Sequence, residues 1–375
     1  MRSILAIALA LVAGCRATGG AHPQALALAN QGALYLNNGE AARAREAFKL
    51  CLEYSPDLDR CLNGLGMAAW QSGQLDEGAD WFRRAIRANR DYAEARNNLG
   101  AYFLERQEYH RASELFRSAL GVDPGYQDAR YNLATSLLRS VKMGAARGDM
   151  ARVAKQLTEA ESQLIRLSEL APMRADTFAL LAAVYLERAQ HQPAGRTQDM
   201  ERARVTFNQC LAANPQQVDC LALGARLAYQ MADCDTAAQR IATLRGLGTG
   251  LEAMPELPKQ VQACLAARDA EIANLQQRWE TEAARGNTQP LLDLCAHFIA
   301  RRVVDKAQAY CRTAMERAPK AAGLRSVYAA FLVQIQQPAE AEAVCEQVLR
   351  MADARGSGAA KECAEIVRTL RLASP

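Results

Sequence analysis

Apolar and small positions along the chain return at a period of 34 residues. Such self-similarity marks a stack of supersecondary units, and here the spacing within each unit is helical. The first copy reads Gly32-x2-Tyr35, then Ala44-x3-Phe48-x2-Cys51-x4-Pro56. The second reads Leu65-Gly66, then Phe82-x2-Ala85, with Gly78 at the small position and Arg90 where proline stands elsewhere. The third is the most regular: Leu99-Gly100-x2-Phe103, then Ala112-x3-Phe116-x2-Ala119-x4-Pro124. Each copy predicts two helices joined by a turn. Pro56 and Pro124 end the second helix, because proline disfavours the α conformation in the residue before it.

Later copies are looser. Leu133-Ala134 leads to Ala160-x3-Leu164 and Pro172, with about fourteen extra residues around Met143–Met150. Leu181-Ala182-x2-Tyr185 leads to Ala203-x3-Phe207-x2-Cys210-x4-Pro215, with an insert at Gln192-Pro193-Ala194-Gly195. Gly224-Ala225 with Ala237 forms a weak sixth copy. A loop at 246–257 precedes a long helix from Pro258 to about Ala284. Two further copies run Leu294-Cys295-x2-Phe298 to Pro319 and Tyr328-Ala329-x2-Leu332 to Cys345, and a helix near 358–371 would cap the stack.

These residues resemble the tetratricopeptide repeat. The resemblance implies an all-α fold, a TPR superhelical solenoid of about eight helix–turn–helix repeats with a C-terminal capping helix. It places the close helix approach at Gly32, Gly66 and Gly100 against Ala44 and Ala112, with Phe48, Phe82 and Phe116 plugging toward the next repeat. The expected organisation is a lipoprotein signal peptide at 1–14, a lipidated cysteine and tether at 15–24, and regular repeats 1–3 at 25–126. Irregular repeats 4–6 with insertions follow at 127–245, a loop and long helix at 246–286, and repeats 7–8 with the cap at 287–371.

The opening segment sets the expected compartment. Met1-Arg2-Ser3 carries one positive charge and precedes a ten-residue apolar run, Ile4 to Ala13. A transmembrane helix takes about 20 residues, so the run fits the core of a secretory signal instead. Val12-Ala13-Gly14-Cys15 resembles the bacterial lipobox, which implies cleavage between Gly14 and Cys15 by signal peptidase II and acylation of Cys15. Several acyl chains on one residue anchor durably, where one chain binds only marginally. Arg16 follows; lipoproteins retained in the inner membrane of enterobacteria carry aspartate there, so the resemblance implies an outer-membrane, periplasm-facing location.

Removing Cys15 leaves ten cysteines, an even number in an oxidising compartment. Cys51-Leu52-x3-Pro56-x4-Cys61-Leu62 recurs as Cys210-Leu211-x3-Pro215-x4-Cys220-Leu221. Each pair joins the end of one repeat's second helix to the start of the next first helix, neighbours across a short turn. Cys295 and Cys311 take the small and plug positions of one hairpin and face each other. By elimination the remaining pairs are Cys234 with Cys264 and Cys345 with Cys363. Ten buried free thiols are the competing reading, since cysteine fits small core positions.

Composition narrows the function classes. Hydrophobic residues make up 50% and charged residues 23%, which excludes wholesale disorder. The net charge of +4 and the lack of a basic run give no footprint for nucleic acid. Four histidines, His22, His110, His191 and His297, include no His-Glu-x2-His, and no Gly-x-Ser-x-Gly occurs. Gly246-x-Gly248-x-Gly250 follows no strand and reads as a turn. No catalytic residue, metal site or cofactor is expected, and an enzyme is not.

In the repeat family the first helices line a concave face. That register gives Leu36, Arg60, Asn63, Met67, Trp70, Glu94, Asn97, Ala101, Leu104, Asp128, Tyr131 and Leu138, with Met67, Trp70, Asn97, Leu104, Tyr131 and Leu138 as the partner groove. Aromatic anchors beside polar groups suit peptide recognition. The lysine and asparagine of the family's chaperone-tail clamp are replaced by Ala29 and Ala33. Finally, Ala95-Arg96-Asn97-Asn98-Leu99-Gly100-Ala101-Tyr102-Phe103-Leu104 resembles a segment of the type IV pilus pilotins of the PilF/PilW/Tgl group. That resemblance implies promotion of secretin assembly in the outer membrane. The alternatives are a structural subunit of a gliding-motility or secretion complex, or an accessory factor for β-barrel insertion or cell-wall enzymes.

Overall fold

The computed structural model describes residues 21–283, 286–301 and 303–373. Gly14 and Cys15, and with them the expected signal peptide and lipidation site, lie outside the described residues. Among the described residues the chain is all-α, with eighteen α-helices and no strand. It divides into two compact units, Met1–Cys220 and Leu221–Pro375. No described helix is long and apolar enough to cross a membrane.

The first unit holds five helix pairs: α1 (Pro23–Asn37) with α2 (Ala41–Tyr54), α3 (Asp59–Gln71) with α4 (Leu75–Ala88), and α5 (Ala93–Glu105) with α6 (Tyr109–Val122). The longer α7 (Gln127–Ala146) pairs with α8 (Met150–Leu170), and α9 (Ala175–His191) with α10 (Arg196–Ala213). First helices of successive repeats touch each other, α1 with α3, α5 with α7 and α7 with α9, and line the inner side of the stack. The extra residues of repeat 4 lengthen both of its helices, to 20 and 21 residues against 13 and 14 in α5 and α6.

Phenylalanine and glycine interlock these pairs. Phe48, Phe82 and Phe116 are buried, and a Cβ on Gly32, Gly66 or Gly100 would stand 2.4–2.7 Å from the phenylalanine ring of its own repeat. The ring of Phe48 also presses on Gly64 of the next repeat, where a Cβ would sit 2.3 Å away. The glycines therefore make room chiefly for the rings; in repeat 2 the helix backbones also meet, where a Cβ on Gly78 would lie 3.0 Å from the Gly66 carbonyl oxygen. Burying a phenylalanine contributes about 1.5–3 kcal/mol, so each plug is a main source of repeat stability.

The second unit begins in the first turn of α11 (Val218–Gln230). It continues with α12 (Cys234–Leu247), the 27-residue α13 (Leu257–Ala283), α14 (Gln289–Ala300) and α15 (Val304–Arg317). The last three are α16 (Ala322–Gln334), α17 (Pro338–Arg350) and the terminal α18 (Gly358–Ala373), which packs on α17 and α16. Gly248 at φ +67° ends α12 in the left-handed region, so the glycine-rich segment is a helix stop. Tyr328, Phe298, Phe331 and Leu294 centre the core here, with Cys295, Cys311, Cys345 and Cys363 fully buried among them.

Candidate functional site: the inner face of repeats 1 to 4

Helical periodicity splits each first helix into two faces. On α3, Leu62, Leu65 and Ala69 are buried, while Arg60, Met67 and Trp70 keep solvent access. The inner face that results is joined from repeat to repeat by amide side chains. Asn98 Nδ2 donates to Asn63 Oδ1 at 3.0 Å, and Asn132 Nδ2 donates to Asn97 Oδ1 at 3.0 Å. Asn63 Nδ2 in turn donates to Glu94 Oε1 at 3.1 Å, and Tyr92 OH donates to the other carboxylate oxygen at 3.1 Å. Asn63 and Asn97 are themselves buried, so the ladder is a fixed part of the wall.

The electrostatics follow from this arrangement. Glu94 is exposed on this face, its carboxylate accepting from Asn63 and Tyr92. Desolvation raises its pKa, against the hydrogen bonds from Tyr92 and Asn63, which lower it. Desolvation likewise raises the phenols of Tyr92 and Tyr126, and pushes Tyr131 up to about 12. All three tyrosines stay protonated donors at neutral pH. A face of amides, phenols and one carboxylate can hydrogen-bond an extended backbone, and its apolar members can seat side chains.

The apolar members are placed unevenly. Met67 and Trp70 are half-buried and pack on Ala79, Phe82, Leu99 and Tyr102. Leu104 and Ala101, at 8% and 9% exposure, are buried and back the wall rather than present to solvent. Tyr131 is half-buried, and the Arg174 guanidinium lies over its ring 4.9 Å from the centroid. Arg174 is held by Asp128 at 3.1 Å and Asp176 at 3.0 Å, so one face of Tyr131 is already occupied. Leu138 is half-buried further along α7. Asn132, Tyr92 and Arg174 were not singled out from the sequence, and Asn98 only within the Ala95–Leu104 segment; the signal was the 35-residue step from Asn63 to Asn98 and from Asn97 to Asn132.

The structure brings the ten cysteines into five disulfide pairs. Cα separations are 6.4 Å for Cys51–Cys61 and Cys210–Cys220, and 6.1 Å for Cys234–Cys264. They are 4.7 Å for Cys295–Cys311 and 4.9 Å for Cys345–Cys363. All lie within the span a disulfide bridges. Among the described residues no three His, Cys, Asp or Glu side chains converge to hold a metal.

An inner face built by the first helices of stacked helical hairpins defines a tetratricopeptide-repeat scaffold. Residues 29–93 and 97–162 match the family model of the tetratricopeptide repeat. Among solved structures, the chain is similar to PilF of Pseudomonas aeruginosa at 20% identity and a TM-score of 0.50, covering 64% of this chain and 97% of that one. It is also similar to PilW, a widely conserved type IV pilus biogenesis factor, at 21% identity and a TM-score of 0.48, covering 65% of this chain and all of that one. At 20% identity the likeness to PilF establishes the fold alone. No curated protein matches the sequence.

Proposed function

We propose that this protein is a lipid-anchored scaffold on the periplasmic side of the bacterial outer membrane. Its inner face in repeats 1 to 4 docks an envelope protein, and in the most specific form of the reading it promotes secretin assembly as a pilotin does. The observation that carries the docking role is the amide ladder from Glu94 through Asn63 and Asn98, continued by Asn97 and Asn132, beside the half-buried Trp70 and Tyr131. The PilF-like fold and the Ala95–Leu104 segment support the secretin as partner. The anchor rests on the lipobox-like Val12–Cys15.

A second reading is a structural subunit of another envelope machine. It draws on the 36% of the chain outside the PilF match (100 − 64), which adds surface for a further contact. The test compares the wild type with Trp70→Ala and Tyr131→Ala in the parent cell, scoring detergent-resistant secretin multimers. The pilotin reading expects multimers to fall to monomers in both variants while the scaffold stays folded. Undiminished multimers, with another envelope function lost, would favour the second reading. For the anchor, Cys15→Ser should accumulate uncleaved precursor without acyl label.

A further inference from the structure

Repeat 4 carries the longest projection of the first unit; repeat 5, with helices of 17 and 18 residues, extends by a smaller step. The helices of repeat 4 exceed α5 and α6 by seven residues each, so the α7–α8 hairpin extends about 10 Å beyond the ends of a regular pair. The projection is packed along its length: Val141, Gly144, Val153 and Leu157 are buried between its arms. A Cβ on Gly144 would lie 3.1 Å from Val153 Cγ2, so the glycine lets the arms close. This is a built element.

Its outer surface is basic. Within the added residues stand Lys142, Arg147, Arg152 and Lys155, with Arg139 at their base, all exposed, against one acid, Asp149. Five positive charges less one give +4, equal to the formal net charge of the entire 375-residue chain. Asp149 caps α8 by accepting from the Arg152 backbone N–H at 3.1 Å, and none of the five cations forms an ion pair among the described residues. Flanking the turn, Met143 and Met150 are 45% and 46% exposed.

We infer that this tip docks on an anionic phospholipid surface, its cations on the phosphates and its methionines in the headgroup region. A narrow convex projection meets a plane and cannot wrap a peptide. Clustered lysine and arginine with adjacent apolar side chains are what such interfaces attract. The inference does not depend on the groove or on what fills it.

The test uses the full chain with Met150→Trp and vesicles whose acyl chains carry bromine, a quencher of tryptophan at short range. Phosphatidylglycerol vesicles should quench the added fluorescence and phosphatidylcholine vesicles should not, with the effect lost in high salt. Adding Lys142→Glu, Arg147→Glu and Arg152→Glu should raise the lipid needed for half-quenching at least tenfold, with the circular dichroism unchanged. Equal quenching by both lipids, none by either, or indifference to charge reversal would overturn the inference. So would photo-crosslinking from position 150 to an acidic protein in place of lipid. Because the two lipids are compared on a single variant, the result stands even if the charge-reversed chain fails to fold.

Discussion

The same hairpin is secured differently in the two units. In repeats 1 to 3 a phenylalanine sixteen residues after a glycine fills the space that glycine leaves: Gly32 with Phe48, Gly66 with Phe82, Gly100 with Phe116. In the second unit the same sixteen-residue step joins Cys295 to Cys311 by a disulfide, and joins Gly224 to Arg240, whose guanidinium lies against the glycine. Cys345, again sixteen beyond Ala329, bridges instead to Cys363 of the terminal helix. One position in the repeat is thus a ring, a cation or half of a bridge. The repeat needs a filled joint there, and the filler sets which conditions the joint tolerates. Ring-in-glycine packing is indifferent to redox state; the bridged joints are not.

Removing the ring should produce the largest effect. Phe116→Ala empties a fully buried site and should cost about 3–5 kcal/mol, read as a lower urea midpoint for the first unit. Next comes the bridge. Cys311→Ser should remove about 3 kcal/mol from the second unit on the loop-entropy model for a loop of this length. Dithiothreitol, which also opens Cys234–Cys264 and Cys345–Cys363, should cost the second unit more than Cys311→Ser does, while leaving the Phe82 and Phe116 joints protected in amide exchange. Equal loss of protection in both units under reduction would break the comparison.

A smaller effect concerns acid. His297 is buried between Glu271, 3.3 Å from Nδ1, and Arg301, and burial, then the Arg301 charge, lower its pKa below the ordinary 6.5. Glu271 opposes the shift and Arg268 adds to it. The unfolded chain then takes up the proton first, so the second unit should lose stability as pH falls below about 6.5 and regain it above. In His297→Phe that part of the pH dependence should vanish from thermal midpoints measured between pH 7 and 5. The smallest effect lies in the turns. Gln107 holds φ +60° where Gly39 and Gly73 stand in repeats 1 and 2. Gln107→Gly should stabilise the first unit by roughly 0.5 kcal/mol, the relief of the left-handed conformation less the entropy glycine loses on folding.

The repeats were readable because glycine, alanine and phenylalanine at fixed steps reflect a joint that admits few side chains. Cys295 and Cys311 fall on those same joint positions, Cys51–Cys61 and Cys210–Cys220 share one spacing, and the other two pairs followed by elimination. Three features were not readable. The left-handed turns at Gln107, Ala232 and Gln336 carry no glycine, so no residue type marked them. The extra residues near Met143–Met150 read as an insertion, yet Val141, Val153 and Leu157 continue the helical stripe and lengthen both helices. The basic tip escaped notice because its charges spread over two antiparallel helices and never form a run. Within the groove, Asn63 and Asn97 were in the expected register, but their partners Asn98 and Asn132 are recognised only once successive helices are seen side by side.

The most direct test of the docking role is an in-vivo crosslink and pull-down of a C-terminally tagged full chain from outer membranes, with partners identified by mass spectrometry. The account predicts secretin subunits, and their loss from the Trp70→Ala and Tyr131→Ala chains. Recovery of a different envelope complex without secretin, undiminished by either substitution, would contradict it.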